Sequence, residues 1–141
     1  MASPVEAVRA KSVSWELLEK FNYETGEMPR SVKRLQGRMV EVQGFIVPID
    51  MDSYIDMIKE FLLVPNPLAC IHFPPPAPNQ IIFIRMKEAI PLDMDYRGVA
   101  IKGRFIIPEL EEGDFVSFEL EGVSAKEANI EFDDPYEFLE Y

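Results

Sequence analysis

The chain is poor in the residues that most often carry chemistry. It holds one cysteine, Cys70, one histidine, His72, and one tryptophan, Trp15, in 141 residues. A single thiol excludes an internal disulfide, so cysteine usage does not place the chain in a redox compartment. A single imidazole excludes every site that needs two histidines from one chain. No apolar run approaches the roughly 18 residues of a membrane-spanning helix, so direct membrane insertion is not expected. Met1 to Lys11 contain no apolar stretch of signal-peptide kind. Read alone, this suits a cytoplasmic protein, and it suits the mature form of an exported one equally. Positive charge is also scarce. Fourteen Lys and Arg stand against 25 Asp and Glu, for a net charge of −11. Such a surface repels phosphate backbones, so nucleic acid is not an expected partner.

What the chain does have is apolar mass. Its hydrophobic fraction is 48% with ten phenylalanines, enough for one domain with its own core. Residues 1–13 read as a loose lead-in and 14–141 as a single globular domain. Ser14 precedes Trp15 to Phe21, a short helix with an acidic first turn, and Ser31 to Leu35 adds a helical turn.

From Arg38 to Pro48, Val40, Val42 and Ile46 alternate with Glu41 and Gln43, the pattern of a half-buried strand, with Gly44 in its middle. Asp50 and Asp52 then suit the cap of a helix over 53–63, with Met51, Ile55, Ile58 and Leu62 on its inner face. Ile81 to Ile84 form an apolar run of strand length. Val99, Ile101, Gly103 and Phe105 alternate with Ala100, Lys102 and Arg104, and Val116, Phe118 and Leu120 alternate with Ser117, Glu119 and Glu121. Ala128 to Phe132 could add one more strand, and the acidic, aromatic tail 133–141 is expected along an edge or loose. The strands at 38–48, 99–107 and 115–121 should share one strongly curved antiparallel sheet, because mid-strand glycines permit coiling. The expected fold is therefore mainly β: a small OB-like coiled barrel with helical additions. An open α+β sheet is the alternative.

The segment from Cys70 to Gln80 concentrates the rare chemistry. Cys70 and His72 stand two apart, and Pro74, Pro75, Pro76 and Pro78 follow. Proline fixes φ and lacks a donor, which excludes an interior helix or central strand and implies a stiff loop. In extended chain, residues two apart face the same side, so the sulfur and the imidazole could converge on one ion. Zinc would need further ligands from carboxylates, water or a second chain. Copper(I) needs fewer and accepts methionine, of which Met51, Met57, Met86 and Met94 are candidates. The bland alternative is a packed thiol with His72 hydrogen-bonded to backbone. Thiol catalysis is a third reading, weakened because prolines, not backbone N–H donors, follow Cys70. Asn79 and Gln80 are read as amides that support the loop, or less simply as ligand contacts. The acidic pairs Glu111–Glu112 and Asp133–Asp134 read as solvated turns.

Several of these segments occur together in a recognisable order: Trp15 with Leu18, Pro29 with Val32 and Leu35, Gly37 to Val40, Gly44 to Pro48, Glu60 to Val64, Cys70 and His72, Pro74 to Pro76, Asn79 and Gln80, and Val99 to Gly103. In this the chain resembles the bacterial domain-of-unknown-function 3299 family over residues 14–122. The Gly44 to Pro48 and Cys70 to Asn79 segments are its specific part. The resemblance implies a small extracytoplasmic protein or lipoprotein, often encoded beside ABC-transporter permeases and linked to metal supply. It implies a periplasmic or extracytoplasmic location, with cytoplasm as the alternative.

The expected function is accordingly a non-enzymatic binding or accessory protein for a transport system. Zinc or copper would be its ligand at the Cys70–His72 loop, supported by Pro74, Pro75, Pro76, Asn79 and Gln80. ABC-transporter components or other membrane or periplasmic proteins would be its partners. A protein-interaction module with a structural loop is the alternative, and a thiol-dependent enzyme the third.

Overall fold

The computed structural model describes residues 10–49, 57–66, 77–91, 98–109, 116–128 and 130. Its elements are β1 (Lys11–Ser12), α1 (Trp15–Glu19), α2 (Arg30–Lys33), β2 (Met39–Pro48), β3 (Met57–Val64), a 3-10 turn (Pro78–Gln80), β4 (Ile82–Pro91), β5 (Val99–Ile106) and β6 (Phe118–Glu127). The strands run in the order β1-β2-β3-β4-β6-β5, and β5 returns to pair with β2. Five strands thus close on themselves, with β1 added outside. The β4–β6 pair is parallel and every other pair in the ring is antiparallel. This is the connectivity of an OB-like barrel, and closure removes the exposed edges an open sheet would leave.

The barrel closes because β2 changes partner along its length. Met39 to Gly44 pair with β5, ending at Gly44 opposite Val99, while Phe45 to Pro48 pair with β3, beginning at Phe45 opposite Val64. The change of partner falls at the glycine foreseen in mid-strand. A Cβ there would lie 2.8 Å from the Leu63 side chain and 2.8 Å from the Val64 carbonyl oxygen, so only glycine allows the approach. A second close approach is at Gly122, opposite Gly103, where the Met86 thioether occupies the space a Cβ would need. Bulges between Lys102 and Gly103 and between Ile58 and Glu60 add further coil.

The interior follows the alternation of the strands. Phe61, Phe105, Phe118, Leu63, Ile82, Ile84, Ile101 and Leu120 are fully buried, with Leu18 and Phe21 of the α1 segment and Val32 and Leu35 of the α2 segment. Phe118 meets Phe21 edge-on at 5.7 Å between centroids and Phe105 at 5.3 Å, distances at which aromatic pairs attract. Ser14 caps α1, its hydroxyl accepting from the Leu17 N–H at 3.1 Å. The supposed lead-in enters the sheet at its end, where Lys11 and Ser12 pair in parallel with Val40 and Glu41.

One expected element is overturned. The helix expected over 53–63 is, from residue 57 onward, the strand β3; residues 50–56 lie outside those described. A break in the register with β4 accompanies the misleading spacing. Between the pairs Ile58–Ile90 and Glu60–Arg85 β3 advances two residues and β4 five, and Ile58 and Phe61 both face the core three positions apart, a helical interval made by a strand. Leu62, expected inward, is half-buried on the opposite face from Phe61 and Leu63. The other strands run longer than their alternation suggested: β4 continues to Pro91 and β6 to Glu127. Ala128 and Ile130 are not in a strand, and the rest of that expected element lies outside the described residues. Among the described residues no helix is long and apolar enough to cross a membrane.

Candidate functional site

The candidate loop leaves the barrel after β3 and returns through the 3-10 turn into β4. Cys70, His72, Pro74, Pro75 and Pro76 lie outside the described residues; Asn79 and Gln80 lie within them. What the structure defines is the frame at the two ends of that loop.

At the departing end, Val64 is 1% exposed and packs with Phe45 and Ile81 in a small cluster on the outer side of the barrel. At the returning end, two side-chain amides tie the turn to α1. Asn79 is buried, and its Nδ2 donates to the backbone carbonyls of Glu19 at 3.2 Å and Phe21 at 2.9 Å. Glu19 ends α1, where carbonyls lack intrahelical partners, and Phe21 follows just past the C-cap Lys20. Gln80 Nε2 donates to the Trp15 carbonyl at 3.0 Å and to the Asn79 carbonyl at 3.0 Å. Among the described residues the amides bond to the α1 segment, and Gln80 bonds to the Asn79 carbonyl as well. Pro78 joins the same frame, since its carbonyl accepts from the Ser117 N–H at 3.1 Å.

Trp15 is the residue whose part was not anticipated. Its indole Nε1 donates to the Gln43 carbonyl at 2.7 Å. Beside it, the Val13 N–H donates to the Glu41 carbonyl at 3.0 Å. Together with β1 these bonds cover the side of β2 that β3 does not reach. A lone tryptophan directly after a capping serine was the available signal, though it names no partner.

Around Trp15 lies an open cleft of about 580 Å³, lined by residues that include Ser12, Ser14, Glu16, Gln43, Pro65 and Ile130. Pro65 is the residue from which the chain departs toward Cys70, and Gln80, on the return, is bonded to the Trp15 backbone. One root of the loop thus lines the Trp15 cleft and the other is bonded to the Trp15 backbone. Of the carboxylates nearby, Glu41 is 23% exposed and meets Lys126 at 3.8 Å, the lysine side chain being 71% exposed; a pair with one partner in solvent contributes little. Among the described residues no group of three or more His, Cys, Asp or Glu is placed to hold a metal ion.

Comparison with known proteins bears on the fold and the family. A search among curated proteins finds no match. A crystal structure of a DUF3299 family protein from Pseudomonas aeruginosa PAO1, at 2.45 Å resolution, superposes with a TM-score of 0.66 at 23% identity. The match covers 89% of this chain and 100% of that one, and at this identity it speaks for the fold alone. Residues 7–126 match the family described as "Protein of unknown function (DUF3299)", and the chain belongs to that family.

Proposed function

We propose that this protein is an extracytoplasmic binding or accessory domain of a transport system, which takes zinc or copper at the Cys70–His72 loop. The observation that supports this reading is the frame beneath the loop. Asn79 and Gln80 fix its returning end to α1 through bonds of 2.9–3.2 Å, and Val64 fixes the departing end in an apolar cluster. A loop held at both roots and stiffened by proline loses less entropy when it closes on an ion. Thiolate and neutral imidazole would be the ligating forms, so binding should release protons and weaken as pH falls. ABC-transporter components or other membrane or periplasmic proteins are the partners proposed with it.

Titration of the purified chain with zinc, and with copper(I) under reducing conditions, tests this directly. Stoichiometric uptake is expected, lost in Cys70→Ala and strongly weakened in His72→Ala. Uptake that neither substitution alters would remove the loop as the metal site. No uptake at all would leave the second reading, a protein-interaction module. The observation favouring that reading is the Trp15 cleft, whose mixture of aromatic, hydroxyl and carboxylate groups resembles a peptide-binding surface more than a metal centre.

A further inference from the structure

The Trp15 cleft carries charge of one sign. Two carboxylates line it, Glu16 on α1 and Glu41 on β2, and among the described residues no lysine or arginine does. Glu41 stands between the buried Val40 and Val42, so its side chain points out of the barrel. Other polar groups in the cleft are already engaged. The Ser14 hydroxyl accepts from the Leu17 N–H, and the Gln43 carbonyl accepts from the Trp15 indole. The strongest acceptors left for an occupant are the two carboxylates.

Glu41 is the better placed of the two. Its side chain is largely withdrawn from solvent, yet among the described residues its ion-pair contact is with Lys126 at 3.8 Å. That is longer than a charge-assisted hydrogen bond, and the lysine keeps most of its water. An incoming cation therefore displaces Lys126 at little cost. A guanidinium offers what the ammonium lacks, a planar fork that bonds a carboxylate through two N–H groups and stacks on an aromatic face.

Trp15 provides that face. Its Nε1 is held by Gln43 at 2.7 Å, and its Cζ2 lies 3.1 Å from where a Gly44 Cβ would stand. The ring is thus fixed against the barrel seam before any occupant arrives, which lowers the entropy lost on binding. Pro65 and Ile130 add apolar surface for the methylenes of a long side chain. A volume of about 580 Å³ accommodates a short peptide segment, and the net charge of −11 draws cationic segments toward the surface.

We propose that the Trp15 cleft binds an arginine side chain presented by a peptide segment of a partner protein, its guanidinium bonding to Glu41 and Glu16 and stacking on the indole. The inference rests on the reading of this cleft as a protein-interaction surface and is independent of metal at Cys70.

The chain has a single tryptophan, so its fluorescence reports from the cleft itself. The full chain is titrated with the peptide acetyl-Ala-Leu-Arg-Leu-Ala-amide and with the same peptide carrying citrulline, which keeps the shape of arginine and loses its charge. The arginine peptide should change the Trp15 emission saturably and bind about tenfold more tightly than the citrulline peptide. Glu41→Gln and Glu16→Gln should each narrow that difference. Glu19→Gln, which alters the net charge equally at an exposed α1 position that does not line the cleft, should preserve it. Equal binding of the two peptides would overturn the arginine assignment and leave the cleft as an interaction surface. A loss in Glu19→Gln as large as in Glu41→Gln would overturn it as well, by assigning the attraction to overall charge. Binding of neither peptide at millimolar concentration would overturn the assignment together with the reading on which it rests.

Discussion

Asn79→Ala should destabilise the protein by more than any other polar-to-alanine change among the described residues. The wild-type amide donates to two carbonyls, those of Glu19 and Phe21, and the second bond lies in a buried environment. Removing the donor leaves the Phe21 carbonyl without its partner, which costs about 1–3 kcal/mol. The Glu19 carbonyl is nearer solvent and can turn to water, so its bond adds about 0.5–1 kcal/mol. The sum is a loss of about 1.5–4 kcal/mol. With each kcal/mol worth roughly 3 °C at this chain length, the melting temperature should fall by ~5–12 °C. Urea unfolding followed by circular dichroism gives the free energy, and an unchanged m-value would show that the unfolded reference is the same. Asn79→Asp sharpens the argument. It keeps the shape but turns an acceptor toward two acceptors, so its loss at neutral pH should exceed that of alanine and shrink in acid, where the carboxyl is protonated and can donate. A loss below about 0.5 kcal/mol in Asn79→Ala, the ordinary range of a surface substitution, would refute the view that this amide ties the loop root to α1.

Three further substitutions test the barrel. Gly44→Ala should cost about 1–3 kcal/mol by overpacking, because one of the two atoms at 2.8 Å is the Val64 backbone oxygen, and thermal unfolding will read it. Trp15→Phe keeps most of the ring but removes the N–H bonded to Gln43, for a loss of about 1 kcal/mol in urea titration. Arg85→Ala should change stability by less than about 0.5 kcal/mol, since its contact with Glu60 is long and both side chains are more than half exposed; a larger change would mean its packing over Phe83 matters more than the ion pair.

The barrel was legible where alternation was clean. From Val40 to Gly44 in β2 and from Ile101 to Phe105 in β5 every second residue is small or apolar and the intervening ones, Glu41, Gln43, Lys102 and Arg104, are polar, so period and face could be read together. β3 was not legible, because around its register break with β4 Ile58 and Phe61 face inward at a helical interval, and periodicity alone cannot separate that from an amphipathic turn. The apolar run from Phe61 to Val64, one residue after another, was the signal that should have weighed against a helix. At the candidate site, the importance of Asn79 and Gln80 could be read from their place at the end of a proline loop. Their partners could not, because they lie 58 to 65 positions away in sequence, and no local pattern encodes a contact at that separation.

The parts that the sequence presents separately converge at the point where β2 changes partner. Gly44 ends the pairing with β5, and Phe45 begins the pairing with β3. The Gln43 carbonyl just before it holds Trp15, and the Trp15 carbonyl in turn holds Gln80. The space a Gly44 side chain would fill is shared by Leu63 and the Trp15 ring. One chain of contacts therefore runs from the barrel seam through α1 to the returning root of the Cys70–His72 loop. Substitutions at the seam should then act on the loop as well as on stability, and Gly44→Ala and Asn79→Ala should not be energetically independent. Residues linked through a shared partner commonly couple by about 0.5–3 kcal/mol, whereas unconnected sites add within a few tenths. A double-mutant cycle in urea measures this, and strict additivity of the two losses would show that the seam and the loop root are mechanically separate.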